Sequence, residues 1–125
     1  MKILTGTDII EIDRIKETIE NLQYKFIQEI YTPKEIEYCE SKKKLKYQHY
    51  AARFPAKEAV FKAISKLFEN KFELTWQNAE IINDEKGKPY ISFLNTNINE
   101  QIEDIDISIS HCKEYAIANV ILVLK

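Results

Sequence analysis

Residues 2–12 alternate between two sets of side chains, which predicts a β-strand. Ile3, Thr5, Thr7, Ile9 and Glu11 share one face; Leu4, Gly6, Asp8, Ile10 and Ile12 share the other. The second set is the more apolar, and Asp8 stands inside it beside a glycine that leaves room. The period then lengthens. Ile15, Ile19 and Leu22 recur at helical spacing, predicting a helix to about Leu22 with Asp13 as its cap. After the short apolar segment YKFIQEIY comes TPKE. Here Thr32 is a cap, Pro33 takes the first helical position and Glu35 the third, the pattern of a capping box. That helix is expected to end near ESKKKLK.

A longer helix is predicted over roughly 47–68, with Pro55 at its start or at a kink. Tyr50, Phe54, Phe61 and Ile64 form its apolar stripe, Glu58 and Lys62 follow one edge, and Lys57 falls inside it. NAEIIND and PYISF then read as two strands joined by the glycine-containing turn EKGK. Asn97 with Glu100 suggests a short helix to about Glu103. DIDISIS alternates, with Ile105, Ile107 and Ile109 on one side, and YAIANVILVLK is a more continuously apolar strand reached through the turn HCKE. Successive strands joined by short turns pair antiparallel. The expected class is therefore α+β: an antiparallel sheet packed against a helical block that includes one long helix.

Bulk composition narrows the function classes. The 125 residues suit one domain over 1–125, and 45% hydrophobic with 30% charged residues suits a folded globular chain. A net charge of −2 gives no general affinity for nucleic acid. Cys39 and Cys112 are far apart and form no CxxC pair, as expected in a reducing cytosol. The longest apolar run, YAIANVILVL, falls short of the ~20 residues a membrane span needs. The N-terminus does not read as a secretion signal, so a cytoplasmic location without membrane contact is expected. With only two glycines, a glycine-rich nucleotide cradle is absent, and no GxSxG, P-loop or zinc-type spacing occurs.

Several side chains then stand out. A carboxylate on an apolar strand face is costly to bury unless paired or bound to a cation, so Asp8 is either a strand-end residue reaching solvent or a ligand. Glu58 and Lys62 are either an i, i+4 surface pair worth a few tenths of a kcal/mol or part of a site. Two carboxylates with a nearby lysine suit Mg²⁺ and phosphate. Ser110 and His111 close a strand at a tight turn, where His111 is a turn residue, a phosphate donor or a proton carrier. Lys42, Lys43, Lys44 and Lys46 form a charge run; with Arg14 and Arg53 they could attract an acidic partner.

The ordered segments GTDIIEIDRI, YTPKEIEYC, RFPAKEAVFKAI, GKPYI and ISISHCKEYAIANVIL resemble the holo-[acyl-carrier-protein] synthases, the small bacterial branch of the 4′-phosphopantetheinyl transferase superfamily. The resemblance spans residues 6 to 122. It implies transfer of the 4′-phosphopantetheine arm of coenzyme A to a serine of apo-acyl carrier protein, with release of adenosine 3′,5′-bisphosphate, in support of fatty acid biosynthesis. By resemblance, Asp8 and Glu58 match the Mg²⁺ ligands and Lys62 the lysine that holds the pyrophosphate. Ser110 and His111 match positions near the nucleotide and its 3′-phosphate, with Arg53 beside them, and Arg14 matches a contact to the acidic carrier. It further implies a homotrimer with active sites between subunits. Glu58, directly or through a metal-bound water, is the first choice of base for the carrier serine, and His111 the second. The chain departs from the family pattern at Pro55, where a small residue is usual, and over 65–81, which holds no glycine although this adenine-side segment is usually rich in it. Two other readings stand beside the transferase: a non-catalytic module that docks an acidic carrier protein, and a Mg²⁺-dependent phosphohydrolase.

Overall fold

The alternating segments at the two ends of the chain meet as one antiparallel sheet. A computed structural model describes residues 1–67 and 74–125. In it β1 (Lys2–Glu11), β4 (Ile102–His111) and β5 (Tyr115–Leu124) pair in the order β1–β5–β4. The strand richest in apolar residues takes the centre. On its inner face Ala116, Ala118, Val120 and Leu122 are fully buried, as expected of a strand paired on both sides. β2 (Ala79–Asn83) and β3 (Pro89–Phe93) form a separate antiparallel hairpin. Its turn needs Gly87 at φ 84°, a backbone conformation that costs glycine nothing.

The described residues form four α-helices, α1 (Ile12–Leu22), α2 (Tyr24–Ile30), α3 (Pro33–Ser41) and α4 (Lys46–Ile64); α4 covers the inner face, α1 packs on α4 and β1, and α2 and α3 pack outside them. The class is α+β, and α4 is the long helix. It lies against β1 and β5 and is buried on most of its circumference. Ala56, Ala59, Val60 and Ala63 fill the interface with the sheet. Small residues let the backbones approach closely, and Gly6 takes this to its limit. A Cβ built there would lie 1.9 Å from the Ala59 carbonyl oxygen and 2.9 Å from the Ala63 nitrogen.

The opposite side of α4 is tied by buried polar groups. Thr32 and Glu35 form the expected capping box. Glu35 does more than cap: its second oxygen accepts from the Ile81 amide at 2.9 Å, and Lys57 Nζ lies 2.7 Å from the first. Lys57 also donates to the Trp76 and Ala79 carbonyls at 2.9 and 2.7 Å. All three ammonium protons are thereby used. Burial pulls the Lys57 pKa below its ordinary value, and the Glu35 charge opposes that pull. The Thr32 hydroxyl donates to buried Glu80 at 2.5 Å. The network links α3, α4 and β2, which explains a lysine inside an apolar stripe.

Local expectations differ at several points. Asp13 is not the cap of α1; Glu11 is, without a side-chain bond, and Asp13 lies in the first turn, where a carboxylate still suits the helix dipole. The helix starts two residues early, and Ile12 is buried with its amide bonding the Glu114 carbonyl at 2.8 Å. Leu22 is exposed, leaving Ile12, Ile15 and Ile19 as the buried stripe. Pro55 neither starts α4 nor ends it. Phe54 and Phe61 are half-buried flank residues, while the alanines take the centre. Ile98–Gln101 forms a 3₁₀ turn rather than a helix to Glu103, because β4 begins at Ile102. α4 ends at Ile64, short of the expected residue 68, and Ser65–Leu67 continue as a 3₁₀ turn; positions 68–73 of the glycine-free segment 65–81 lie outside the described residues. Among the described residues, no helix is long and apolar enough to cross a membrane.

Two substitutions test this packing. Gly6→Ala should destabilise by about 3 kcal/mol, since backbone atoms rather than a flexible side chain block the methyl. In thermal denaturation the midpoint should fall by roughly 10 °C. Lys57→Met strands a buried Glu35 carboxylate and should cost about 3–5 kcal/mol in denaturant melts.

Candidate functional site

The close approach at Gly6 decides which side chains meet above it. Asp8 follows two residues along the same inner face of β1, and Glu58 and Lys62 project from α4 one turn apart. Lys62 Nζ lies 2.9 Å from Asp8 Oδ1 and donates to the Thr7 carbonyl at 3.0 Å. The Lys62 side chain is 53% exposed and that of Asp8 18%, so the pair is too solvated to matter much for stability. Glu58 is half-buried and has no hydrogen bond among the described residues. Its carboxyl is held above the usual value, first by burial, then by the Asp8 charge, with Lys62 acting against both. Phe54 and Phe61, one turn to either side, pack on Trp76 at ring separations of 5.4 and 5.6 Å.

This donor set selects among cations. Among the described residues no three metal-ligating side chains converge, so there is no closed protein cage. Two hard carboxylates beside an open surface suit Mg²⁺, which keeps water and takes substrate phosphate oxygens as further ligands. The like-charge pressure on Glu58 is what a divalent cation would relieve.

A second group forms elsewhere. Arg53 sits roughly 180° around α4 from Lys62, and only 4% of it is exposed. Its Nη2 donates to Asn83 Oδ1 at 2.5 Å, its guanidinium stacks 4.2 Å from the centre of the Tyr38 ring, and its buried Nε has no partner. Lys42 Nζ approaches the same ring at 4.7 Å, and His49 meets it edge-on at 5.4 Å. The His49 pKa is lowered by burial, then by the charges of Arg53, Lys42 and His111. Sequence reasoning assigned His49 no function. Its position one turn before Arg53 was the available signal, and it means little until α3 brings Tyr38 alongside.

Ser110 and His111 close β4, at the opposite sheet edge from Asp8. The register runs Asp8–Ala118–Ile109 across the three strands, about 10 Å from edge to edge. Ser110 also faces outward, whereas Asp8 faces α4. One chain therefore brings Asp8, Glu58 and Lys62 together, while Arg53 stays on the far side of α4 and Ser110 and His111 stay at the other sheet edge. Arg14 is exposed on α1, without an ion pair among the described residues.

Comparison with known proteins agrees with the architecture. The family model for the 4′-phosphopantetheinyl transferase superfamily matches residues 5–120. The chain is 46% identical over 129 residues to a holo-[acyl-carrier-protein] synthase of Ruminiclostridium cellulolyticum, covering 99% of this chain and 94% of the relative. It is 42% identical over 118 residues to that of Chloroherpeton thalassium, covering 94% of each. Among solved structures, the Helicobacter pylori holo-[acyl-carrier-protein] synthase in complex with coenzyme A superposes with a TM-score of 0.82 at 30% identity, over 96% of this chain and 100% of that one. The Bacillus anthracis synthase, in complex with CoA (3′,5′-ADP), gives 0.78 at 32% identity, over 95% and 94%.

The coupling of Asp8 to Glu58 can be read directly. In a carboxyl-resolved NMR titration Glu58 should protonate above the ordinary glutamate range, and Asp8→Asn should lower that midpoint without abolishing the shift, because burial is its larger cause. For a carboxyl raised on folding, the linked stability is present at low pH and is lost as pH rises through the folded pKa. Glu58→Gln should remove that slope.

Proposed function

The chain belongs to the 4′-phosphopantetheinyl transferase superfamily, and we propose that Asp8, Glu58 and Lys62 are the metal and pyrophosphate half of its active site. The reaction is transfer of the 4′-phosphopantetheine group from coenzyme A to a serine of apo-acyl carrier protein, giving holo-carrier protein and adenosine 3′,5′-bisphosphate. The observation that carries the site assignment is the meeting of Asp8, Glu58 and Lys62 at the Gly6 crossing.

The serine oxygen bonds to the phosphorus that carries pantetheine. The bond from that phosphorus to the bridging oxygen breaks, and the bisphosphate leaves with that oxygen. Glu58 receives the serine proton; burial and Asp8 raise its proton affinity toward the working pH, which improves a general base. A carboxylate has two oxygens, so one can face a cation while the other faces the serine. Lys62 is held by Asp8 and the Thr7 carbonyl, where its ammonium can meet pyrophosphate oxygens as a compact charge. Asp8 and Glu58 would hold Mg²⁺, which supplies Lewis-acid stabilisation of the charge collecting on the leaving bisphosphate.

The second half of the site is assigned to another copy of the chain. Arg53, His111 and Ser110 are the proposed nucleotide and 3′-phosphate contacts. Arg53 lies on the far side of α4 from Lys62, and Ser110 and His111 lie at the opposite sheet edge from Asp8; this separation supports a homotrimer with sites between subunits. His111, arriving from a neighbouring copy, is the alternative base. Arg14 on exposed α1 is the proposed contact to the acidic carrier protein, and the setting is cytoplasmic fatty acid biosynthesis.

Mass spectrometry of apo-acyl carrier protein, after incubation with this protein, coenzyme A and Mg²⁺, should show one phosphopantetheine added to one serine. EDTA should stop the gain. Asp8→Ala and Glu58→Gln should each slow it by about 10²-fold or more, with circular dichroism unchanged. Full activity in both variants would sink the site assignment. Coenzyme A should raise the thermal midpoint more with Mg²⁺ than without; a docking module would show no such difference.

A further inference from the structure

Two cations and a histidine gather on one aromatic ring. Arg53 lies over the Tyr38 ring at 4.2 Å and Lys42 at 4.7 Å, and His49 meets the ring edge-on at 5.4 Å. The grouping comes from two helix faces. Tyr38 and Lys42 are four residues apart at the C-terminal end of α3, and His49 and Arg53 are four residues apart on α4, so each pair shares one face. The buried Glu35–Lys57 ion pair fixes how those faces meet. Glu35 stands one turn before Tyr38, and Lys57 one turn after Arg53.

The group is cationic without a counter-charge. Among the described residues no carboxylate is paired with Arg53 or Lys42. A guanidinium has five donors; here Nη2 is bonded to Asn83, and the buried Nε has no partner. Exposure rises from buried Arg53 through half-buried His49 to exposed Lys42, so the positive charges lead from the interior to the surface. A guanidinium with open donors beside an ammonium matches the oxygens of a phosphate monoester. Such a group carries nearly two negative charges at neutral pH. Burial and the charges of Arg53, Lys42 and His111 lower the His49 pKa; a bound phosphate acts in the opposite direction.

Resting on the assignment of Arg53 to the 3′-phosphate of coenzyme A, we infer that Tyr38 is the positioning residue that gathers Arg53, Lys42 and His49 into one phosphate-binding group. Tyr38 touches no reacting atom. The negative face of its ring holds the two cations near each other against their repulsion, and its edge contact orients the His49 plane. Without the ring, Lys42 returns to solvent and Asn83 alone orients the guanidinium. Asp8, Glu58 and Lys62 lie on the other side of α4 and keep their geometry. Tyr38 therefore acts on the choice between coenzyme A and 3′-dephospho-coenzyme A, and not on the rate of transfer.

Transfer kinetics on the full chain, with those two compounds as alternative donors, test this. Tyr38→Leu should raise the KM for coenzyme A about tenfold, with kcat and the KM for the dephospho form unchanged. Tyr38→Phe, which keeps the ring, should restore the low KM. NMR of the His49 imidazole gives a readout independent of turnover. Adenosine 3′,5′-bisphosphate should raise its pKa more than adenosine 5′-monophosphate does, and Tyr38→Leu should remove that difference. If Tyr38→Leu does not fold, Tyr38→Gln takes its place. An unchanged KM for coenzyme A without the ring, or an equal rise for both donors, overturns the positioning role. A wild-type enzyme that uses both donors with equal KM, or whose His49 does not respond to the bisphosphate, overturns the phosphate-binding group and leaves the transferase assignment standing. Absence of transfer with the His49 response present overturns the transferase assignment and not the group.

Discussion

The crossing of α4 over β1 at Gly6 is the constraint on which the remaining geometry depends. Helix and strand backbones approach so closely that no side chain fits between Gly6 and Ala59. That separation brings Asp8, two residues along the strand, within hydrogen-bond reach of Lys62, one turn along the helix. A larger residue at position 6 would lift the helix and open the cluster. The same crossing buries the small side chains of α4 against β5, so the core and the site are set by one contact.

Adjacent residues of α4 show how one helix serves two purposes. Lys57 is fully buried, neutralised by Glu35 and bonded to two carbonyls, and it anchors the helix to α3 and β2. Glu58, the next residue, is rotated about 100° toward the sheet edge, has no hydrogen bond among the described residues, and is raised in pKa. The satisfied ion pair fixes the helix, while the Glu58 carboxylate keeps its oxygens without a partner among the described residues. Buried polar groups that are fully paired rigidify a fold, and here that rigidity supports a strained charge arrangement one residue away.

The division of the basic groups follows from the sheet. β5 lies between β1 and β4, so the Asp8 edge and the His111 edge can never touch within one chain. Arg53 is held on the far side of α4 by Asn83 and Tyr38. A single chain thus carries the Asp8–Glu58–Lys62 cluster and the Arg53–Tyr38 cluster as two separate groups.

Much of this could be read from local signals. Alternation located β1 and β4, a continuous apolar run located β5, TPKE located the start of α3, and the glycine turn located the hairpin, because each depends on local side-chain pattern or backbone dihedral preference alone. Asp8, Glu58 and Lys62 were legible as candidates, since a carboxylate on an apolar face and a charged pair beside an apolar stripe are both costly without a partner. What the sequence could not supply was which charges share a neighbourhood. The partnership of Lys57 with Glu35, the company of His49 and the isolation of Arg53 from Lys62 depend on helix rotation and strand order. Those are settled only when non-local packing at Gly6, Ala59 and Ala63 brings together residues more than fifty positions apart.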